Sequence, residues 1–302
     1  MEKRTLGKTG LQVTSIGMGC VTCGREIDRE TSFTVLDRAW EHGITLFDTA
    51  AGYGEGASED VLGDWITQRG HRDQIVLASK VNGRLDRKSI LDSTEQSLKR
   101  LRTDRIDLFQ LHNWDGQTPL EETLETLDQL VEQGKVLHLG VSNWEVWHLA
   151  KALITSQEKG WRRFESVQPS YNLVMREIER DMLPLCSDQQ IGMLTYSPRG
   201  AGFLTGKYQR GADVPKGTRF HVIPGHQDLY FTDRGYRVLE LLELKSKQIG
   251  QSVADLALAW VFGRPMVTSV LIGARHPDQI DQAIKAQNTK LPDDLRKELD
   301  LM

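Results

Sequence analysis

Cysteine is scarce in this chain. Three thiols in 302 residues, an odd number, build no disulfide framework and point to a reducing compartment. Neither sign of charge dominates: 38 Lys and Arg against 42 Asp and Glu leave a formal net charge of −4, without a basic block, so nucleic acid is not an expected partner. No apolar run approaches the ~20 residues that cross a bilayer, and no membrane association is expected. The opening residues Met1-Glu2-Lys3-Arg4-Thr5-Leu6-Gly7 lack the apolar core of a signal peptide, so a cytoplasmic location is expected. No Gly-x-Gly-x-x-Gly opens a helix, which weighs against a doubly wound dinucleotide-binding sheet.

What the chain does have is alternation. Short apolar runs end near positions 19, 48, 80, 112, 141, 168, 196 and 272, and amphipathic helical stretches follow them. Eight such units predict an α/β fold, a (β/α)8 barrel forming a single domain over residues 1–302. Arg4-Thr5-Leu6, a Gly7-Lys8-Thr9-Gly10 turn and Leu11-Gln12-Val13 predict an N-terminal β-hairpin that plugs the barrel bottom. Ser58 is expected to cap one helix. Thr118, Pro119 and Glu121 are expected to form the capping box of another. Residues 199–233, rich in glycine and holding Pro215 and Pro224, read as an extended loop over the mouth.

In a parallel barrel all strand tips meet on one face. Here those tips are Asp48, Lys80, His112, Ser142-Asn143, Gln168 and Tyr196. Strands two, three and four are neighbours, so Asp48, Lys80 and His112 converge, and Tyr53 can fold over them from the loop after strand two. A free Tyr is too weak an acid to act near neutrality. An ammonium beside it is expected to lower its pKa, a carboxylate to keep that ammonium charged, and a His to hydrogen-bond a carbonyl oxygen. Such a set protonates a developing oxyanion and needs no covalent nucleophile, which suits hydride addition to a small-molecule carbonyl, with the hydride supplied by a cofactor.

Asp48, Tyr53, Lys80 and His112 resemble the catalytic tetrad of the aldo-keto reductases, NAD(P)H-dependent carbonyl reductases on a (β/α)8 barrel. The likeness runs from Arg4-Thr5-Leu6-Gly7 to Gly273-Ala274-Arg275. It includes Phe47-Asp48-Thr49-Ala50, Gly140-Val141-Ser142-Asn143, Gln168-Pro169 and Tyr196-Ser197-Pro198 with Gly202-Phe203-Leu204-Thr205-Gly206-Lys207. The resemblance implies that Tyr53 is the general acid, tuned by Lys80 and Asp48, and that His112 orients the carbonyl. It implies that Ser142, Asn143 and Gln168 hold the carboxamide and that Tyr196 stacks on the nicotinamide. The segment Ser197, Pro198, Arg199, Gly202, Leu204, Gly206 and Lys207 would wrap the pyrophosphate with Arg219. Gly273 is a further expected cofactor contact, and Arg275 and Gln279 fall where the family grips the 2′-phosphate, so NADP(H) is the expected cofactor.

Gln282-Ala283 stands in place of the usual Glu-Asn pair, which alters the expected adenine contacts. Trp114 and Trp144 are expected pocket walls. Cys20-Val21-Thr22-Cys23 lacks the second CxxC or His pair of a metal site and reads as loop, so no metal is expected. Two other readings compete: a cofactor-binding regulatory subunit like the family's channel β-subunits, with little turnover, and a Schiff-base aldolase using Lys80.

Overall fold

A computed structural model describes all residues 1–302. The chain opens with a hairpin, β1 (Lys3–Thr5) and β2 (Gln12–Thr14), paired antiparallel. The eight barrel strands are β3 (Ile16–Gly19), β4 (Leu46–Asp48), β5 (Val76–Val81), β6 (Ile106–Leu111), β7 (Val136–Ser142), β8 (Phe164–Gln168), β9 (Gly192–Thr195) and β10 (Ser269–Ile272). All pair in parallel, and β10 closes on β3. The fold is therefore the expected (β/α)8 barrel with an N-terminal hairpin.

Helices α1 (Arg29–Glu41), α2 (Ala57–Arg69), α3 (Arg87–Leu101), α4 (Leu120–Glu132), α5 (Val146–Lys159) and α6 (Met182–Gln189) each follow one strand. Two short helices, α7 (Arg219–Val222) and α8 (Gln227–Tyr230), then precede α9 (Asp233–Ile249) and α10 (Val253–Phe262). Past β10, α11 (Pro277–Gln287) and α12 (Asp293–Asp300) complete the chain.

Strand alternation sorts the two cores. Phe47, Leu77 and Phe109 point outward into the large core beneath the helices. Leu46, Val76, Ala78, Leu108, Leu194 and Leu271 form a second apolar cluster with Leu6 and Val13 of the hairpin segment. That cluster is the barrel floor. Gly192 lets the hairpin in: a Cβ there would stand 2.4 Å from Leu6 Cδ1.

Two expected caps are not formed. The Ser58 hydroxyl is drawn instead to Thr49 Oγ1 and the Cys20 carbonyl, 2.8 and 2.7 Å away, and α2 begins two residues earlier, behind Gly56 at φ +97°. Thr118 donates to Asp115 Oδ2 at 2.6 Å, so Pro119 is the residue before the first turn of α4 and no capping box forms. A capping box does occur at α5, between Glu145 and His148. The segment 199–233 is more ordered than a plain loop. Phe203, Tyr208, Phe220 and Tyr230 are buried in it and pack together with Phe231 and Tyr236.

Candidate active site

Inward positions recur every second residue, so Asp48 stands above Leu46, Lys80 above Ala78 and Gln110 above Leu108. Lys80 and Gln110 are register partners, as are Ser142 and Gln168. This places a polar layer directly on the apolar floor. Lys80 is fully buried there, and its ammonium has three partners: Asp48 Oδ1 at 2.5 Å, the Thr49 carbonyl at 2.8 Å and Tyr53 Oη at 3.3 Å. The other Asp48 oxygen accepts from Gln110 Nε2 at 3.1 Å and Gln168 Nε2 at 2.9 Å. Gln168 also donates to Gln110 Oε1 at 3.1 Å, which fixes both amides.

Burial works against the Lys80 charge, but Asp48 and Tyr53 outweigh it and push the ammonium pKa up. All three N–H directions are taken, so no neutral amine is offered for a Schiff base. Tyr53 departs from expectation. Burial raises its pKa, and although the Lys80 ammonium pulls the other way, the direction is up. The phenol is thus held protonated near neutrality, as an acid must be before it acts. The His112 ring lies edge-on to Tyr53, with centroids 5.5 Å apart. Burial, then repulsion from Lys80, lowers its pKa to about 4, and its buried Nδ1 has no protein partner. The imidazole is therefore neutral.

The His112 ring should accordingly titrate near 4 in NMR of the protein without nucleotide. Between that value and the ordinary 6.5, the unfolded chain takes up a proton that the folded chain refuses. The stability associated with this neutral ring is complete above pH 6.5 and falls as the pH drops toward 4. A ring titrating near 6.5 would contradict the burial that sets this direction.

Across the mouth, Asn143 adopts φ +56°, a left-handed conformation that Asn tolerates better than most residues. Its Nδ2 donates to the His112 carbonyl at 3.0 Å, and its Oδ1 accepts from Tyr196 Oη at 2.7 Å. Ser142 donates to the Gln168 carbonyl at 2.8 Å.

A cavity of about 750 Å³ runs from Asp48, Tyr53 and His112 past Ser142, Asn143, Gln168 and Tyr196. It continues along Ser197, Pro198, Arg199, Gly202 and Lys207 to Arg219, Gly273, Arg275 and Gln279. Burial lowers the pKa of Arg199, and burial with repulsion from Arg199 and Arg275 lowers that of Lys207. Cations gathered at such a cost suit a polyanion. With an apolar-faced Tyr196 at the other end, the lining fits a nicotinamide dinucleotide.

Some expected residues lie elsewhere. Leu204 is buried in the large core, Gly206 ends the turn at φ +82°, and Gln282 is exposed on α11; none of the three lines the cavity. Trp114 and Trp144 are not in the lining either. Trp114 stacks on His148 with centroids 4.0 Å apart and meets Trp144 edge-on at 4.8 Å. Residues not expected from the sequence are Gln110, which holds Asp48 from below, and Arg25, Glu26, Lys216, Met175, Leu229 and Tyr230 in the cavity lining. Only Gln110 carried a signal, its place two residues beyond the inward Leu108.

The family model for aldo/keto reductases matches residues 15–301. The chain belongs to the aldo/keto reductase family. It is 34% identical to the uncharacterized oxidoreductase YrpG of Bacillus subtilis, over 99% of this chain and 95% of that protein. It is 34% identical to the aldo-keto reductase YhdN of the same organism, over 93% and 87% of the two chains. A probable voltage-gated potassium channel subunit beta of Arabidopsis thaliana is 32% identical over 95% and 91%. The aldo/keto reductase family and its oxidoreductase members make this chain an NAD(P)H-dependent oxidoreductase acting on a small molecule. No helix is long and apolar enough to cross a membrane.

Proposed function

We propose that the protein is an NADPH-dependent reductase of aldehydes or ketones, with Tyr53 as general acid. The observation that carries this reading is the Lys80 ammonium held between Asp48 Oδ1 and Tyr53 Oη, at 2.5 and 3.3 Å, at the base of the cavity. A bound dihydronicotinamide supplies the hydride. The chain's own residues do the rest. Tyr53 Oη holds a proton and gives it to the carbonyl oxygen as negative charge develops there. Lys80 stabilises the phenolate left behind, and Asp48 balances Lys80. Neutral His112 orients the carbonyl by a hydrogen bond. Ser142, Asn143 and Gln168 are the groups that would hold the carboxamide, and Tyr196 offers the ring a flat face.

The cations at the far end supply the phosphate contacts: Arg199, Lys207 and Arg219 for the pyrophosphate, Arg275 for the 2′-phosphate. The Arg275 backbone N–H is fixed by Gln279 Oε1 at 2.7 Å. Arg275→Ala is expected to weaken NADPH binding about 10- to 100-fold, the worth of a charge-assisted pair, while NADH binding changes by about twofold or less. Tryptophan fluorescence titrations measure both. Equal losses for the two nucleotides would remove the 2′-phosphate from Arg275.

A second reading, a cofactor-binding regulatory subunit with little turnover, draws on the likeness to the channel subunit beta. A panel of small aldehydes and ketones, followed at the nicotinamide absorbance, separates the two. Oxidation of NADPH on any of them supports the reductase. Tight binding without turnover supports the regulatory reading.

A further inference from the structure

Three guanidinium groups from separate parts of the chain meet on one carboxylate. Glu26 lies between β3 and α1 and lines the cavity. Its Oε2 accepts from Arg275 Nη2 at 2.6 Å, and its Oε1 accepts from Arg219 Nη1 at 3.0 Å and from Arg25 Nη2. Arg275 follows the last barrel strand, whereas Arg219 begins α7 in the long segment over the mouth. Glu26 thus ties both to the loop after the first barrel strand.

An isolated surface pair contributes little. This cluster differs, because the Glu26 side chain is only 21% exposed and three cations share it. Three positive charges against one negative leave a surplus of two facing the cavity, where Arg199 and Lys207 extend it. A phosphate dianion would neutralise that surplus. It would also have to take Arg275 from a carboxylate that already holds it, and then remain beside that carboxylate.

We propose that Glu26 sets the cofactor selectivity of this site: it is an internal anion that holds Arg275 and Arg219 and competes with the 2′-phosphate for them, narrowing the preference for NADPH over NADH. The proposal rests on the assignment of Arg275 to the 2′-phosphate. A nucleotide with a free 2′-hydroxyl requires no exchange of partners and leaves the Glu26–Arg275 pair intact.

The test is calorimetry on Glu26→Gln, whose side chain is isosteric and keeps the loop packed. The probes are adenosine 2′,5′-bisphosphate and adenosine 5′-monophosphate, followed by NADPH and NADH. The bisphosphate and NADPH are expected to bind about fivefold tighter or better than to the wild type, with changes of about twofold or less for the other two. Glu26→Asp keeps the charge and is expected to show no tightening. Parallel changes for both classes of nucleotide would make Glu26 a strut between loops and overturn the proposal, as would tightening in Glu26→Asp equal to that in Glu26→Gln. The outcome for Arg275→Ala separates two kinds of failure. If that variant discriminates between NADPH and NADH while Glu26→Gln does not, the selectivity role alone falls. If neither discriminates, the 2′-phosphate assignment falls, and the role of Glu26 falls with it.

Discussion

Tyr53→Phe is expected to lower kcat for carbonyl reduction by about 10²- to 10⁴-fold while leaving NADPH affinity within about twofold. The phenyl ring keeps the edge-on contact with His112, and only the Oη atom beside Lys80 Nζ disappears. Steady-state rates and a fluorescence titration on the same preparation check both halves. A variant turning over within about tenfold of the wild type would mean that another group, or water, delivers the proton. A parallel loss of cofactor binding would mean that the hydroxyl shapes the pocket rather than the chemistry.

The second large effect is on stability. Lys80→Met leaves Asp48, only 2% exposed, with two glutamine amides and no cation. Removing one member of a buried ion pair typically costs about 3–5 kcal/mol, because the other charge stays behind. Urea denaturation should record a loss of that order, together with near-complete loss of turnover. Combining Lys80→Met with Asp48→Asn should recover much of the stability and none of the activity, since no uncompensated charge then remains. A single variant losing less than about 1 kcal/mol would show that the pair is not what organises the site.

The architecture was legible because its two periods are written in residue types. Apolar strands ending in Asp48, Lys80 and His112 mark where three neighbouring strands stop, and the barrel topology does the convergence. Gln110 is less legible, because it sits within the apolar run beneath the polar tip at His112. The same period of two that turns Leu108 inward also turns Gln110 toward Asp48. The Tyr53 pKa moves opposite to the expected direction because proximity to a cation is visible in a sequence and desolvation is not.

Loops were harder. Ser58 and Thr118 have the chemistry of caps, but each hydroxyl found a tertiary partner instead. The aromatic residues at 203, 208, 220, 230 and 231 were all in view, yet their mutual packing depends on how the segment folds back on itself. Arg219 and Arg275 lie about 190 and 250 residues from Glu26, and no local pattern joins them to it.

The position of Tyr53 on the cavity wall also bears on proton supply. Leu6 and Val13 complete the apolar cluster under Lys80, while His138, Ser166 and Ser269, register partners of Leu108, Gly192 and Leu194, set polar groups among it. In the proposed reaction Tyr53 parts with a proton at every turnover. Tyr53 lines the cavity, so the direct route for its replacement is the mouth, the passage that the alcohol product uses to leave. Recharging the acid and clearing the site become successive uses of a single doorway, which ties the readiness of the enzyme for its next cycle to product departure.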